Sequence, residues 1–248
     1  MELVYQSVVT KENWVITEDI IRQLKKKPLT NAVKLAFREH YSQEDDTHFA
    51  LEGRNLIVYD IVLKMARQIL AMDEKHAPFS IISLERDEGR GYFWETTIQY
   101  QNSESTTVSL RGIIDRIDQK DGVVRVLDYK TGRDEKQAKD IDALFDRDDM
   151  KRNKAAFQAL FYALLYQQYS DEGRIVPGLI NAKDLFNQEF DSRIYIGREA
   201  VNDFSSWQKP FTEKLHILLL ELFNSSVAFN QTDDLRKCSL CPYAKLCY

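Results

Sequence analysis

Two runs rich in β-branched and aliphatic residues flank an Asp-Gly pair, and this stretch narrows the possible folds more than any other. The first is Leu110-Arg111-Gly112-Ile113-Ile114-Asp115-Arg116-Ile117-Asp118; after Asp121-Gly122, the second is Val123-Val124-Arg125-Val126-Leu127-Asp128-Tyr129-Lys130-Thr131-Gly132. Such a pattern predicts a β-hairpin, which brings Asp115, Asp128 and Lys130 to one end of a sheet. Residues two apart in a strand face the same side, so Asp128 and Lys130 are expected to project together and Tyr129 to the opposite face. Asp118 and Asp121 lie where the turn belongs and receive turn roles only. Asp115 differs, because inside an apolar run a lone carboxylate incurs a desolvation cost unless it is paired or bound to metal.

Two carboxylates and a lysine suit metal-dependent phosphodiester hydrolysis. Mg²⁺ prefers oxygen ligands and keeps several waters, so one or two carboxylates plus a substrate phosphate suffice to hold it. A lysine beside them can orient or deprotonate the attacking water, while the ion lowers the pKa of that water and stabilises charge on the scissile phosphate. A buried Asp128–Lys130 salt bridge is the competing, purely structural reading.

Downstream, Lys154 to Gln167 contains no Gly or Pro and reads as a strong helix former. Gln158 and Tyr162, four apart, share one face of that helix. Taken alone, Tyr162 and Tyr166 read as the edge of a core stripe with Phe157, Phe161 and Leu165.

These parts, in this order, resemble the PD-(D/E)XK nucleases, and within them the RecB-type branch that includes AddB-like helicase-nucleases and CRISPR adaptation nucleases. Gly112 and Asp115, then Asp128 through Gly132, then Gln158 with Tyr162 carry the resemblance. It implies a restriction-endonuclease-like α/β core, a central mixed sheet flanked by helices, with N-terminal helical additions and a C-terminal helix plus cysteine tail. It implies hydrolysis of DNA with Mg²⁺ or Mn²⁺, as the nuclease module of a recombination or repair exonuclease or helicase-nuclease, with a helicase domain or subunit as a further partner. Asp115, Asp128 and the backbone carbonyl of Tyr129 would bind the metal, Lys130 would position the water, and Gln158 and Tyr162 would support the site or grip the strand. Ser80 to Glu85 reads as a strand ending in an acid, and Glu85 matches a glutamate that the family often places ahead of its Gly-Asp strand. The alternative is a catalytically inactive nuclease-fold domain that binds DNA or a partner protein.

Two parts of the family pattern are not met. Members commonly supply a metal-binding histidine from an upstream helix, and His40, His48, His76 and His216 lie in no such pattern. Met1 to Gln6 resembles the stretch that follows that histidine, so the chain is expected to begin just after it. Cys238, Cys241 and Cys247 form C-x2-C-x5-C and are the only cysteines. Their spacing resembles the C-terminal half of an iron-sulfur staple, which implies a 4Fe-4S cluster in the full-length protein, completed by an upstream cysteine and incomplete here. Thiolates also suit zinc. A disulfide framework is not expected of so few cysteines.

With 248 residues and 44% hydrophobic content, the chain is long enough to bury a substantial core. The expected organisation is a single nuclease domain over 1–236, helical in 1–75 with its core at about 80–223, and a cysteine-containing tail at 237–248. A net charge of −5 argues against a simple basic DNA-binding domain, so phosphate contacts fall to a local groove with Arg111, Arg116, Arg133, Lys136, Lys151, Arg152 and Lys154 as candidates. No run is apolar enough to span a bilayer and no leader is evident, which points to the cytoplasm. Elsewhere, helices are predicted over Thr17 to Glu39, with Thr17 as N-cap and Pro28 breaking into a second helix from Thr30, and over Asn55 to Met72, with Ile57, Ile61, Lys64, Met65 and Ile69 on one face. Strands are predicted around Ile81, Trp94, Ile113 and Val126, and over Gly173 to Ile180 and Asp191 to Ile196. The acidic stretch Asp134 to Asp149 is expected to cross the mouth of the site. A helix over Ser205 to Phe223 should bury Trp207, Phe211, Leu215, Leu218 and Leu222.

Overall fold

The computed structural model describes residues 1–9, 14–41, 52–85, 91–99, 105–132, 134–149, 151–170, 173–182, 184–187, 190–229, 231–232, 235–239 and 241–247. The N-terminal elements are α1 (Glu2–Gln6), β1 (Val15–Ile16), α2 (Glu18–Leu24), α3 (Lys27–Tyr41), α4 (Gly53–His76) and β2 (Phe79–Leu84). Then come β3 (Tyr92–Gln99), β4 (Ser105–Gly112), β5 (Arg116–Lys120), β6 (Val123–Lys130), β7 (Gln137–Ala138), α5 (Ile141–Phe145) and α6 (Lys154–Gln167). The chain continues through β8 (Arg174–Asn181), a 3₁₀ turn at Asp184–Phe186, β9 (Tyr195–Ile196), β10 (Glu199–Ala200), α7 (Ser205–Leu222), α8 (Leu235–Cys238) and α9 (Ala244–Cys247).

The Asp-Gly hairpin forms as predicted. Asp121 and Gly122 have φ of 50° and 73°, the pair of left-handed residues that a type I′ turn requires and that Asp-Gly tolerates. The turn sets Asp118 opposite Arg125 and Arg116 opposite Leu127 in the β5–β6 ladder. Around this hairpin the central sheet runs β1-β2-β5-β6-β8. β6 and β8 are parallel, with Lys130 beside Asn181, and the crossover between them carries α6, the usual solution for joining parallel strands. The sheet is therefore mixed. β3 and β4 form a separate antiparallel pair, and β7, β9 and β10 a small third sheet.

Alternation along β6 divides the two helical layers. Val124 and Val126 face α6 and join a core with Ala156, Leu160, Leu164, Phe211 and Leu215. Leu127 and Tyr129 point the other way and pack with Ile69, Met65 and Met72 of α4. Each fully buried aliphatic side chain contributes about 1.5–3 kcal/mol. Ala155, Ala156, Ala159 and Ala163 of α6 are buried too, and side chains this small let the helix ride close to the strands. A mixed sheet flanked by helices is the fold class that the sequence predicts.

Several local expectations need correction. The strand expected around Ile113 is interrupted: β4 ends at Gly112, β5 starts at Arg116, and Asp115 lies in the gap between them. The chain crosses there from the β3–β4 pair into the central sheet, with Ile114 buried and Ile113 exposed. Thr17 does cap α2, accepting from the Ile20 N–H at 3.4 Å. However, α3 begins at Lys27 rather than Thr30, because Pro28 in a first turn lacks only an N–H that has no helical partner there. α4 runs longer than predicted, and its inward face is Tyr59, Leu63, Ala66, Ile69, Leu70 and Asp73, which leaves Ile57 and Ile61 exposed. On α7 the buried set is Phe211, Leu215 and Leu219, with Leu218 and Leu222 exposed. The expected strand over Asp191 to Ile196 reduces to Tyr195–Ile196. The acidic stretch is anchored by Ala138, Ile141 and Leu144, which are buried in the main core. Among the described residues, no helix is long and apolar enough to cross a membrane.

Candidate active site

The C-terminal end of β6 presents Asp128 and Lys130 to the α6 side, as alternation requires, while Tyr129 turns away. Asp128 is 3% exposed, and its Oδ2 lies 2.8 Å from Lys130 Nζ. Lys130 Nζ donates to Gln158 Oε1 at 2.7 Å, and Gln158 Nε2 donates to the Tyr162 hydroxyl at 2.7 Å. Helical spacing on α6 thus delivers a two-link support to the lysine. Gly112 lets β4 approach the same helix: a Cβ there would lie 2.6 Å from Leu165 Cδ1 and 2.8 Å from Tyr162 Cε1, so any side chain would push Tyr162 away.

Asp115, freed from strand geometry by the gap, turns its Oδ2 to the Tyr129 N–H and accepts a hydrogen bond at 2.7 Å. Its carbonyl accepts from the Glu85 N–H at 3.0 Å, which ties the end of β2 to the same spot. Asp115, Asp128, Lys130, Gln158 and Tyr162 are thus brought together. Glu85 joins through its backbone, its side chain being exposed while its charge still reaches Asp115. The Tyr129 hydroxyl, on the far face, accepts from Arg116 Nη1 at 3.2 Å; only the main chain of Tyr129 belongs to the site.

Both aspartates are held short of their ordinary acidity. Burial, reinforced by the charges of Asp128 and Glu85, raises the Asp115 pKa from 3.8 to about 6, against the opposing pull of the Tyr129 N–H and Lys130. Burial also raises the Asp128 pKa, with Asp134 adding to the effect and Lys130 opposing it. Asp128 Oδ2 is sealed from solvent and has no directional hydrogen bond, so the 2.8 Å contact with Lys130 is an ion pair of poor alignment. Neighbouring carboxylates with raised pKa values and an oxygen short of donors favour an added cation. Among the described residues no three His, Cys, Asp or Glu side chains form a ready-made cage. Two neighbouring carboxylates therefore fit a hard ion that keeps most of its waters, such as Mg²⁺ or Mn²⁺.

The pH dependence follows from Asp115. Because its folded-state pKa, about 6, lies above its ordinary 3.8, the metal-free fold binds more protons than the unfolded chain between these values and loses stability as pH rises through that window. An ion bound there must displace the proton. Mn²⁺ affinity is expected to be steady above about pH 7 and to fall roughly ten-fold for each pH unit below about 6, which calorimetric titration at several pH values measures.

Not all predicted contacts converge. Arg116, a candidate for phosphate contact, is 0% exposed and belongs to a buried ionic network on the opposite face. Its Nη1 and Nη2 lie 2.7 and 3.1 Å from the two carboxylate oxygens of Asp73, and its Nε donates to Asp118 Oδ2 at 2.7 Å. Asp118, expected in the turn, is buried there and also accepts from Arg125 Nε at 2.7 Å. Tyr5 of α1 hydrogen-bonds Asp73, and the Arg116 guanidinium lies over the Phe79 ring at 4.9 Å. The Asp118–Arg125 cross-strand pair was the available sequence signal; Asp73 had none. This network holds Arg116 directly after Asp115 and Tyr129 directly after Asp128, so it fixes the backbone on which both carboxylates stand.

Lys136 is engaged elsewhere, at the Asp191 carbonyl and 3.4 Å from Asp184. Arg111, Lys151 and Lys154 are exposed and Arg152 half-buried, while Arg133 lies outside the described residues. At the tail, Cys238 and Cys241 are free thiols, joined by the Cys241 N–H donating to the Cys238 carbonyl at 3.1 Å; the Cys247 side chain lies outside those described. Three cysteines in the whole chain do not furnish the four thiolates of a 4Fe-4S cluster, and the described ones form no metal-binding group.

Comparison with protein-family models matches residues 3–248 to the PD-(D/E)XK nuclease superfamily. Comparison with curated protein sequences returned no match. A match of this extent shows that the chain belongs to the PD-(D/E)XK nuclease superfamily.

Proposed function

We propose that this protein is a Mg²⁺- or Mn²⁺-dependent deoxyribonuclease of the RecB-type, AddB-like branch, acting as the exonuclease module of a recombination or repair machine in the cytoplasm alongside a helicase domain or subunit. The observation that carries this reading is the convergence of two carboxylates with raised pKa values on one lysine that a glutamine holds in place. Asp115, Asp128 and the Tyr129 carbonyl would hold the ion, with Glu85 adding negative charge at the rim. When bound, the ion lowers the pKa of water and offsets charge on the scissile phosphate.

The remaining work falls to this chain's own groups. Lys130 Nζ, pinned by Gln158 Oε1 at 2.7 Å, orients the attacking water and is placed to move its proton. Tyr162, through Gln158, keeps that ammonium from drifting. Arg111, Lys151, Arg152 and Lys154 would take phosphates along the strand, which makes binding salt-dependent. Residues 1–236 would act as one nuclease unit, with 237–248 as an appended tail.

Linear DNA incubated with the protein should be degraded in Mg²⁺ or Mn²⁺, with EDTA stopping the reaction and Asp128→Ala losing it. Absence of metal-stimulated cleavage by the intact protein would favour the second reading, an inert nuclease-fold domain that binds DNA or a partner protein. The Asp128–Lys130 ion pair is the feature such a domain would keep as a structural element.

A further inference from the structure

Beside the proposed active site is a cleft of about 420 Å³ lined by Trp14, Ile82, Ser83, Leu84, Tyr92, Tyr166 and Tyr169, within the range of small-molecule sites, ~300–1,000 Å³. Four of its seven lining residues are aromatic. Tyr92 meets Tyr169 edge-to-face with ring centroids 5.1 Å apart and Tyr166 likewise at 5.7 Å. The Tyr169 hydroxyl accepts from the Phe93 N–H at 3.2 Å, which fixes that ring. Tyr92 and Tyr166 form the floor, 4% and 6% exposed, whereas Trp14 and Tyr169, 39% and 47% exposed, stand at the rim.

Three elements shared with the active site place this cleft next to it. Ile82, Ser83 and Leu84 lead directly to Glu85, whose N–H is bonded to the Asp115 carbonyl. Tyr92 pairs across β3–β4 with Gly112, the residue against which Tyr162 packs. Tyr166 is one helical turn beyond Tyr162, which supports Gln158 and hence Lys130. β2 also carries a register shift between Ile81 and Ser83, the kind of irregularity found beside active sites. A cation stands close by: the Arg111 guanidinium lies over the Phe93 ring at 5.6 Å, and Phe93 is the residue bonded to Tyr169.

We propose that this cleft stacks an unpaired nucleobase of the strand being cut, so that the enzyme takes single-stranded DNA or a frayed end in preference to closed duplex. The inference rests on the nuclease reading and names its substrate class. Every base has a π-face, so aromatic walls receive it whatever the sequence, while Arg111 sits where the adjoining phosphate would pass. Ser83 is the one hydroxyl-bearing aliphatic residue of the lining and adds a polar group able to meet a base edge. A paired base inside a duplex cannot enter such a cleft without unstacking.

The test is anisotropy binding of the full chain, in Ca²⁺, to a labelled oligothymidylate, to a base-free sugar-phosphate strand of equal length and to a blunt duplex. Wild type should bind oligothymidylate most tightly. Trp14→Ala and Tyr169→Ala should each weaken that binding about ten-fold and leave the base-free strand unchanged, and Trp14→Phe should restore affinity. Oligothymidylate affinity in both alanine variants within about two-fold of wild type, equal losses on the base-free strand, or no preference of wild type for the single strand would each overturn the stacking role. Mn²⁺ binding at Asp128, measured without DNA, judges the nuclease reading separately.

Discussion

Lys130→Ala is expected to abolish detectable DNA cleavage, a fall of about 10²–10⁴-fold if the lysine acts as the proton-handling group, while the protein stays folded. Lys130 is partly exposed, with 23% of its side chain accessible, so its loss removes a badly aligned ion pair and one hydrogen bond, worth about 1 kcal/mol. The Asp128 carboxyl, left without its cation, can take up a proton, because burial already raises its pKa. The divalent ion also competes with the Lys130 ammonium for Asp128, so Mn²⁺ should bind the variant at least as well as it binds wild type. Lost cleavage with retained metal binding separates a chemical role from a structural one. Cleavage at the wild-type rate would remove Lys130 from the mechanism.

The second large effect lies on the other face of the sheet. Asp73→Ala strips the fully buried Arg116 of one of its two carboxylate partners, leaving Asp118 to serve both Arg116 and Arg125, and is expected to cost about 3–5 kcal/mol, read from urea unfolding midpoints. The penalty arises from an uncompensated buried charge. Exchanging Asp73→Leu and Arg116→Met together should therefore cost less than Asp73→Ala alone, since Asp118 keeps Arg125 at 2.7 Å. A single-variant loss below about 1 kcal/mol would show that the network contributes little. Because Tyr129 reaches this network from between Asp128 and Lys130, Asp73→Ala should also slow cleavage at temperatures where it remains folded.

Much of this site was legible because its rules are local. The Asp-Gly turn, the common face of Asp128 and Lys130 and the four-residue step from Gln158 to Tyr162 each follow from a fixed period of strand or helix. What escaped depends on partners far along the chain. Arg116 read as a surface cation because nothing in its neighbourhood shows that Asp73, 43 residues earlier, meets it inside the fold. Asp118 read as a turn residue because it precedes Asp-Gly, yet its strand position turns it inward toward two arginines. The β-branched residues Ile113, Ile114 and Ile117 concealed the gap that releases Asp115, since a buried residue such as Ile114 looks alike within a strand or between two. Helix faces suffered in the same way: the spacing that joins Ile57 to Ile61 is helical, but only packing decides which stripe turns inward.

The central claim is that Asp115 and Asp128 hold a divalent ion beside Lys130, and calorimetric titration of Mn²⁺ into the metal-free protein near pH 7.5 tests it most directly. Wild type should show one saturable site, kept in Lys130→Ala, weakened in Asp115→Ala and absent in Asp128→Ala. No saturable binding by wild type, or binding that survives Asp128→Ala unchanged, would contradict it.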